Sequence, residues 1–539
     1  VNKQRPEGDI RWNDGALLVK HFNLLTTINT QLRSFVMRIT LPLVVASAAV
    51  ACAVDLASLP SFLRDVAAKT FPSLKNIAVD IYNHPELGLA EHHAHDLIVK
   101  HFANVDGWEV TPHAYGMDTS FSLVFEHRPT GFDGQLKTIG VMAEYDALVI
   151  GHACGHNHIA LNAITVASLA SQALVQYNIP GRIMVLGCPD EENMAAKFRL
   201  YNRGAFEPAE IWIMAHPTSS SAFQPMNSRL NSFARFTGNT HEEAVQKAYN
   251  AMVTVKALSG KLPGTASTAA PILNIGVYAV NVVQQNIGIG ISGSDIATVR
   301  KTISPLLTSD FKNVTYVVGQ DSNGVAINIT GPGGHASETT QGALDFSVQI
   351  FQAFSGNPSV GFYLPGNTTS NQLDITVDMR TRYTQDLPDV ARAIDEAIGA
   401  LSSGVNHDIQ YPSLEVTPYL PQRIIDLLAT PNYNLTDWKI SDFAPASSDA
   451  SWAQSAVVDP QTHELLSVGK VVIHANYRIC NTASGSLCAF NHEPNFRIVA
   501  GSDYSYTQTE IVARALSQIV TELLADEDMY MAATAIIHN

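Results

Sequence analysis

Between Gly151 and His158 the chain reads Gly-His-Ala-Cys-Gly-His-Asn-His, which sets four potential metal donors, His152, Cys154, His156 and His158, within seven residues. Neutral imidazole, thiolate and carboxylate are the groups that hold a divalent ion at a hydrolytic site, with one position left open for water. Gly151 and Gly155 allow the tight backbone needed to aim alternate side chains inward. Pro189-Asp190-Glu191-Glu192-Asn193 adds adjacent carboxylates. Neighbouring residues point in different directions, so one can ligate a metal while the other faces water as a general base. Ala215-His216-Pro217 places a histidine directly after an apolar run, and Asn491-His492-Glu493-Pro494 offers a late ligand. On pattern alone His474 is as well placed as His492.

These residues need a frame. Thr138–Ala143, Ile183–Gly187 and Ile211–Ala215 are continuous apolar runs that read as strands buried on both faces, with a long apolar helix from Ile159 to Tyr177 between the first two. The fold class expected is α/β: a mixed, mostly parallel central sheet flanked by helices. In such sheets ligands bind at the carboxyl ends of the strands. Glu144 and Asp146, then Asp190-Glu191-Glu192, then His216 all fall there. The catalytic domain is expected over 57–229 and 410–539, with an inserted α+β segment over 230–409. That insert reads as two tandem βαββα units, 231–308 and 324–403. Each opens on a strand ending in Thr-Gly and followed by a histidine (His241, His335), and each joins its central strands by an Asn-led loop (Asn281, Asn367).

Charge and composition narrow the classes. A formal net charge of -16 repels phosphate backbones and argues against a nucleic-acid partner. Apolar residues at 46% and charged residues at 15% describe a packed chain rather than a disordered one. Met37-Arg38, the apolar run from Ile39 to about Ala53 and the small residues Ala49-Val50-Ala51 read as a secretory signal peptide over 37–53. Residues 1–36 then read as an upstream extension, and no other stretch is expected to cross a membrane. The sequons at Asn313, Asn328, Asn367 and Asn434 fit a secreted glycoprotein. Cys480 and Cys488 bracket a short Gly/Ser loop and read equally as a disulfide or as two buried thiols.

The set His84-Pro85-Glu86-Leu87-Gly88 with Glu91, Glu144-Tyr145-Asp146-Ala147-Leu148, the His-Ala-Cys-Gly-His-Asn run, Pro-Asp-Glu-Glu, Ala-His-Pro, Gly333-Gly334-His335-Ala336-Ser337 and the late Asn-His resembles the metallopeptidase family of aminoacylases, zinc carboxypeptidases and dipeptidases. The likeness runs from about Leu59 and is to the amidohydrolase branch. Asn157 looks more like the aminoacylase-1-like dipeptidases than the auxin-conjugate hydrolases, which usually carry Asp there. The resemblance implies a phosphorylase/hydrolase-like catalytic domain cleaving dipeptides or N-acyl amino acids. It implies Cys154, His156, Glu192, His216 and His492 as ligands of one or two Zn2+ ions, with Mn2+ or Co2+ as alternatives. Glu191 would be the general base, His335 the lid histidine that stabilises the oxyanion, and Asn367 and Arg380 substrate contacts, Arg380 gripping a free carboxylate. The chain departs from the family pattern at Asn193-Met194-Ala195-Ala196, where glycines are usual, and in Asn367 being also a sequon. A doubled lid implies a monomer completing its site in cis rather than a homodimer. Two other classes fit the same residues: a non-catalytic ligand-binding relative that has kept the fold, and an amide-tailoring enzyme of secondary metabolism.

Overall fold

The computed structural model of the chain describes residues 54–258, 261–262, 272–275, 283–333, 341–481 and 488–537. The expected extension at 1–36, the leader at 37–53, Asn281 and His335 lie outside them.

The framework begins with α1 (Leu59–Asn83) and α2 (His92–Phe102), then β1 (Trp108–Pro112), β2 (Phe121–His127) and β3 (Thr138–Ala143). It continues through α3 (His156–Gln176), β4 (Gly181–Gly187), α4 (Glu191–Met194), α5 (Ala196–Asn202), β5 (Ile211–Thr218) and β6 (Ala222–Phe223). Residues of β3, all buried, run parallel to β4 and β5, as the uninterrupted apolar runs require. α3 is apolar all round because it is enclosed by the sheet, α1 and the C-terminal helix Asp503–Ala525. By length and hydropathy α3 is the one described helix able to span a bilayer, yet 89% of its apolar window is buried inside the protein. The expectation that no stretch beyond the leader would meet that test is corrected here; a core helix meets it for a different reason.

The insert comprises β7 (Ser228–Thr237), α6 (His241–Leu258), β8 (Ile272–Ile275), β9 (Asn286–Ser292), α7 (Ile296–Ile303), β10 (Thr315–Gln320), β11 (Val325–Thr330), α8 (Ala343–Phe354), β12 (Gly361–Tyr363), β13 (Gln372–Thr381), α9 (Leu387–Gly399) and β14 (Gly404–His407). It forms two four-stranded sheets, ordered β14-β7-β13-β8 and β10-β11-β9-β12. The two tandem units expected do not each close a sheet of their own. β9 leaves the first to pair with β11 and β12, and β13 leaves the second to pair with β7 and β8. Each sheet is instead a βαββαβ unit with strands ordered fourth, first, third, second, and one unit is nested between the second and third strands of the other. Apolar periodicity had located most of these strands but carries no information on which of them pair.

The nested units share one apolar core. Tyr249 on α6 stacks on Phe351 of α8 at 5.1 Å and donates to Ser347 Oγ at 3.1 Å. His241, at the start of α6, bonds Ser370 O through Nδ1 and accepts from Leu364 N through Nε2. It therefore anchors the loop after β12, a structural task.

The chain then returns to the first sheet through β15 (Lys439–Ile440), the β16 (Val457–Val458) and β17 (Leu465–Ser467) pair, and β18 (Val471–Arg478). β18 lies parallel beside β5 and completes the eight-stranded order β1-β2-β4-β3-β5-β18-β6-β15. Cys480 and Cys488 are joined as a disulfide, which resolves the two readings of that pair, whereas Cys154 and Cys188 are free and buried.

Candidate metal centre

Four segments meet at the carboxyl ends of β3, β4 and β5. Gly155, the residue before α3, adopts φ +79°, and a Cβ there would lie 2.6 Å from Pro217 Cγ. Only glycine allows the donor run to turn into α3 so close to the end of β5. That turn leaves Cys154 just before the helix N-terminus, where the backbone dipole favours an anion. Asp146, beyond β3, accepts from His156 Nδ1 at 2.8 Å and from the Glu192 backbone N–H at 3.0 Å. One carboxylate thus orients two candidate ligands. The fourth segment docks through His492 N to Ala153 O at 2.9 Å and through Asn491 Nδ2 to Cys154 O and Pro217 O. Asp190 and His492 hold positive φ without being glycine. Such strain costs roughly 1–3 kcal/mol per residue and concentrates at functional sites.

Six of the expected side chains come together here. Cys154 Sγ lies 3.6 Å from His216 Nε2, and Glu192 Oε1 lies 3.3 Å from His492 Nε2 and 3.6 Å from His156 Nε2. Two donor groups that share Cys154, Cys154–His156–His216 and Cys154–Glu192–His492, each fall within 4.8 Å, and a third, Glu144–His156–Glu191, joins them through His156. His156 and His216 each engage an oxygen acceptor through Nδ1, Asp146 and Pro217 O respectively, which leaves Nε2 facing the cluster as the atom each ring would offer to a metal. Glu191 lies 4.0 Å from His156 Nε2 and is 12% exposed in its side chain, against 1% for Glu192. Glu192 is the more enclosed and joins Cys154 and His492, whereas Glu191 reaches the open side while staying within a donor group with His156 and Glu144.

Buried charge explains why a cation belongs here. Glu144, Glu191 and Asp449 gather around the ammonium of Lys197, with Glu192 beside Glu191 and Asp146 against His156. Burial raises the Glu191 carboxyl well above its usual range, and Glu144, Glu192 and Asp449 raise it further. Burial would also push Glu192 up, but His492 and His156 hold it below the usual range. Burial and Glu192 push the Cys154 thiol upward, while the three imidazoles outweigh them and bring it to about 6. An anionic thiolate, imidazole lone pairs and carboxylates around one point are the donor set of zinc and its neighbours. The residues fit one or two such ions.

Other expected residues lie elsewhere. His474 stacks on His216 at 5.6 Å but belongs to none of these donor groups, which separates it from His492. His152 bonds Ile81 O, and His158 bonds Ala500 O and Thr509 Oγ1; both brace the run. Asn367 is exposed in the loop that His241 anchors. Arg380 lies at the end of β13 with its guanidinium bidentate on Asp378 at 3.0 and 3.1 Å, so its fork is already engaged by a protein carboxylate.

The sequence reading missed four contributors, Lys197, Asp449, Arg229 and Tyr411. Lys197, fully buried, bonds Glu144 at 2.6 Å and Asp449 at 2.5 Å. Arg229, opposite Arg380 in the β7–β13 register, also faces Asp378 and packs over the Tyr411 ring. Tyr411 donates to Glu191 O at 2.9 Å, linking the insert to the base. The only signal for Lys197 was a lysine opening a helix shortly after the acidic pair; nothing local announced Asp449.

No protein-family profile matches the chain. Two curated relatives are similar to part of it: Xaa-Arg dipeptidase of Homo sapiens, 37% identical over 153 residues, and that of Mus musculus, 34% identical over 148 residues. Each match takes in 26% of this chain, which spans about a third of the relatives' own length, 35% and 34%. Among solved structures, one from methicillin-resistant Staphylococcus aureus, described as an aminohydrolase, superposes with a TM-score of 0.52 at 14% identity, covering 87% of this chain and 99% of that one. The chain therefore has the fold of that aminohydrolase structure and, over roughly 150 residues, is related in sequence to the Xaa-Arg dipeptidases.

Proposed function

We propose that this protein is a secreted, metal-dependent hydrolase of amide bonds in small substrates, dipeptides or N-acyl amino acids, within the metallopeptidase family of aminoacylases, carboxypeptidases and dipeptidases. The observation that carries the reading is the position of Cys154 in two donor groups with Glu191 beside them on the open side. Cys154, His156, Glu192, His216 and His492 would hold the metal, which we read as one or two zinc ions. When bound, it supplies Lewis acidity toward water and the scissile carbonyl. Glu191 takes a proton from the attacking water and returns it to the departing amine, a role that suits a carboxyl held above its usual range. Arg380, paired with Asp378 beside Arg229, is the side chain assigned to grip a substrate carboxylate, for which its planar fork is suited. The partial likeness to Xaa-Arg dipeptidases puts dipeptides ending in a basic residue first among substrates. Four exposed sequon asparagines and the Cys480–Cys488 disulfide support the secretory route. Two nested lid sheets in one chain support catalysis by a monomer.

The test is a hydrolysis screen of zinc-loaded protein on dipeptides and N-acyl amino acids, alongside Glu191→Gln. Loss of the base should lower kcat by about 10²–10⁴ with metal content unchanged. Hydrolysis that survives the substitution at full rate would refute the assignment.

A further inference from the structure

A second group of metal donors lies outside the centre described above. Asp80 closes the last turn of α1, His84 follows that helix at its C-cap, and His93 stands at the second position of α2. His84 Nδ1 and His93 Nε2 each lie 2.7 Å from the same atom, Asp80 Oδ1, and the three donors fall within 4.8 Å of one another. The imidazole rings are 4.7 Å apart at 56°, so both edges converge on the carboxylate. The side chains are 40%, 62% and 41% exposed for Asp80, His84 and His93, which leaves room for water to complete a shell.

We infer that Asp80, His84 and His93 form a surface site for a borderline divalent transition ion of the zinc, nickel or copper type. Two imidazoles and one carboxylate suit those ions, whereas magnesium and calcium prefer oxygen throughout. Tetrahedral zinc with ligands at about 2.0–2.1 Å sets its donors about 3.3 Å apart. Each nitrogen–oxygen separation therefore needs to open by roughly 0.6 Å, a small shift for half-exposed side chains. Glu86, the remaining nearby carboxylate, is committed to the N-terminus of α2, accepting from His93 N and Ala94 N. The site is thus Asp80, His84 and His93 plus water.

Its position gives the ion a task. His84 and His93 are the two ends of a loop that buttresses the acidic pair. In that loop Gly88 packs so closely on Asp190 that a Cβ would lie 2.0 Å from Oδ1, and Glu91 accepts from Asp190 N at 2.8 Å. An ion at Asp80 clamps both ends and stiffens the support behind Glu191.

Zinc content at a buffered micromolar free concentration tests this in the full chain, comparing wild type with His84→Ala/His93→Ala and, separately, Cys154→Ser. Wild type should retain one equivalent more than the double variant, and Cys154→Ser should keep that equivalent. As a second check, zinc should raise the melting temperature of Cys154→Ser by more than that of Cys154→Ser carrying His84→Ala/His93→Ala as well, and an equal rise in both would overturn the site. Equal zinc in wild type and the double variant, or an extra equivalent lost with Cys154→Ser alone, would overturn the site. Neither readout depends on hydrolysis.

Discussion

Glu91 is fully buried, yet it is a carboxyl bonded to the Thr119 hydroxyl and to the Asp190 backbone N–H. Burial, with Asp146 nearby, raises it from 4.5 to about 7. Its folded form thus holds a proton more tightly than the unfolded chain does. The stability it contributes is full below about 4.5 and is lost as pH rises toward 7. Glu91→Gln keeps both hydrogen bonds available and removes the titration. The fall in melting temperature between pH 5 and pH 8 should therefore be shallower in Glu91→Gln than in wild type, and an unchanged fall would contradict this. At this scale most donors were legible because Cys154 and His156 sit in one dense run and Glu192 and His216 follow apolar strands, whereas pattern alone did not separate His492 from His474. The orienting contacts of Asp146 were not, since they depend on backbone turns at Gly155 and Asp190 that no spacing rule specifies.

Lys197 ties three elements together: the end of β3 through Glu144, the start of α5 through its own backbone, and the segment carrying Asp449. Removing one partner of a buried ion pair leaves an uncompensated charge and costs about 3–5 kcal/mol. Lys197→Met should lose stability on that order in denaturant unfolding, and a loss below about 1 kcal/mol would show the pairing to be dispensable. The partners are 252 residues apart, which is why the sequence showed a lone lysine where the structure shows a junction. The same limit explains the insert. The apolar periods of β9, β11, β12 and β13 marked strands, and α8 was located residue for residue over Ala343–Phe354. Pairing across the nested loop is a long-range choice made by the shared core around Tyr249 and Phe351, and local pattern does not encode it.

Over the whole molecule, the parallel order of β3, β4 and β5 was legible because strands buried on both faces must be apolar throughout. That order alone places Cys154, Glu192 and His216 at one edge of the sheet. His492 arrives from 276 residues beyond His216 and is held by the docking of its backbone on Ala153, of Asn491 on Cys154 and Pro217, and of its ring beside Glu192. Holding such distant segments in register around buried like charges is the work that a bound cation performs, and it unites fold, site and activity in one claim. A cobalt titration of the stripped protein, followed at once by absorbance and by dipeptide hydrolysis, tests that claim most directly. The account predicts that a thiolate-to-cobalt band from Cys154 and the hydrolytic rate rise together and saturate at the same number of equivalents. Hydrolysis in the stripped protein, or full activity without a thiolate band, would contradict it.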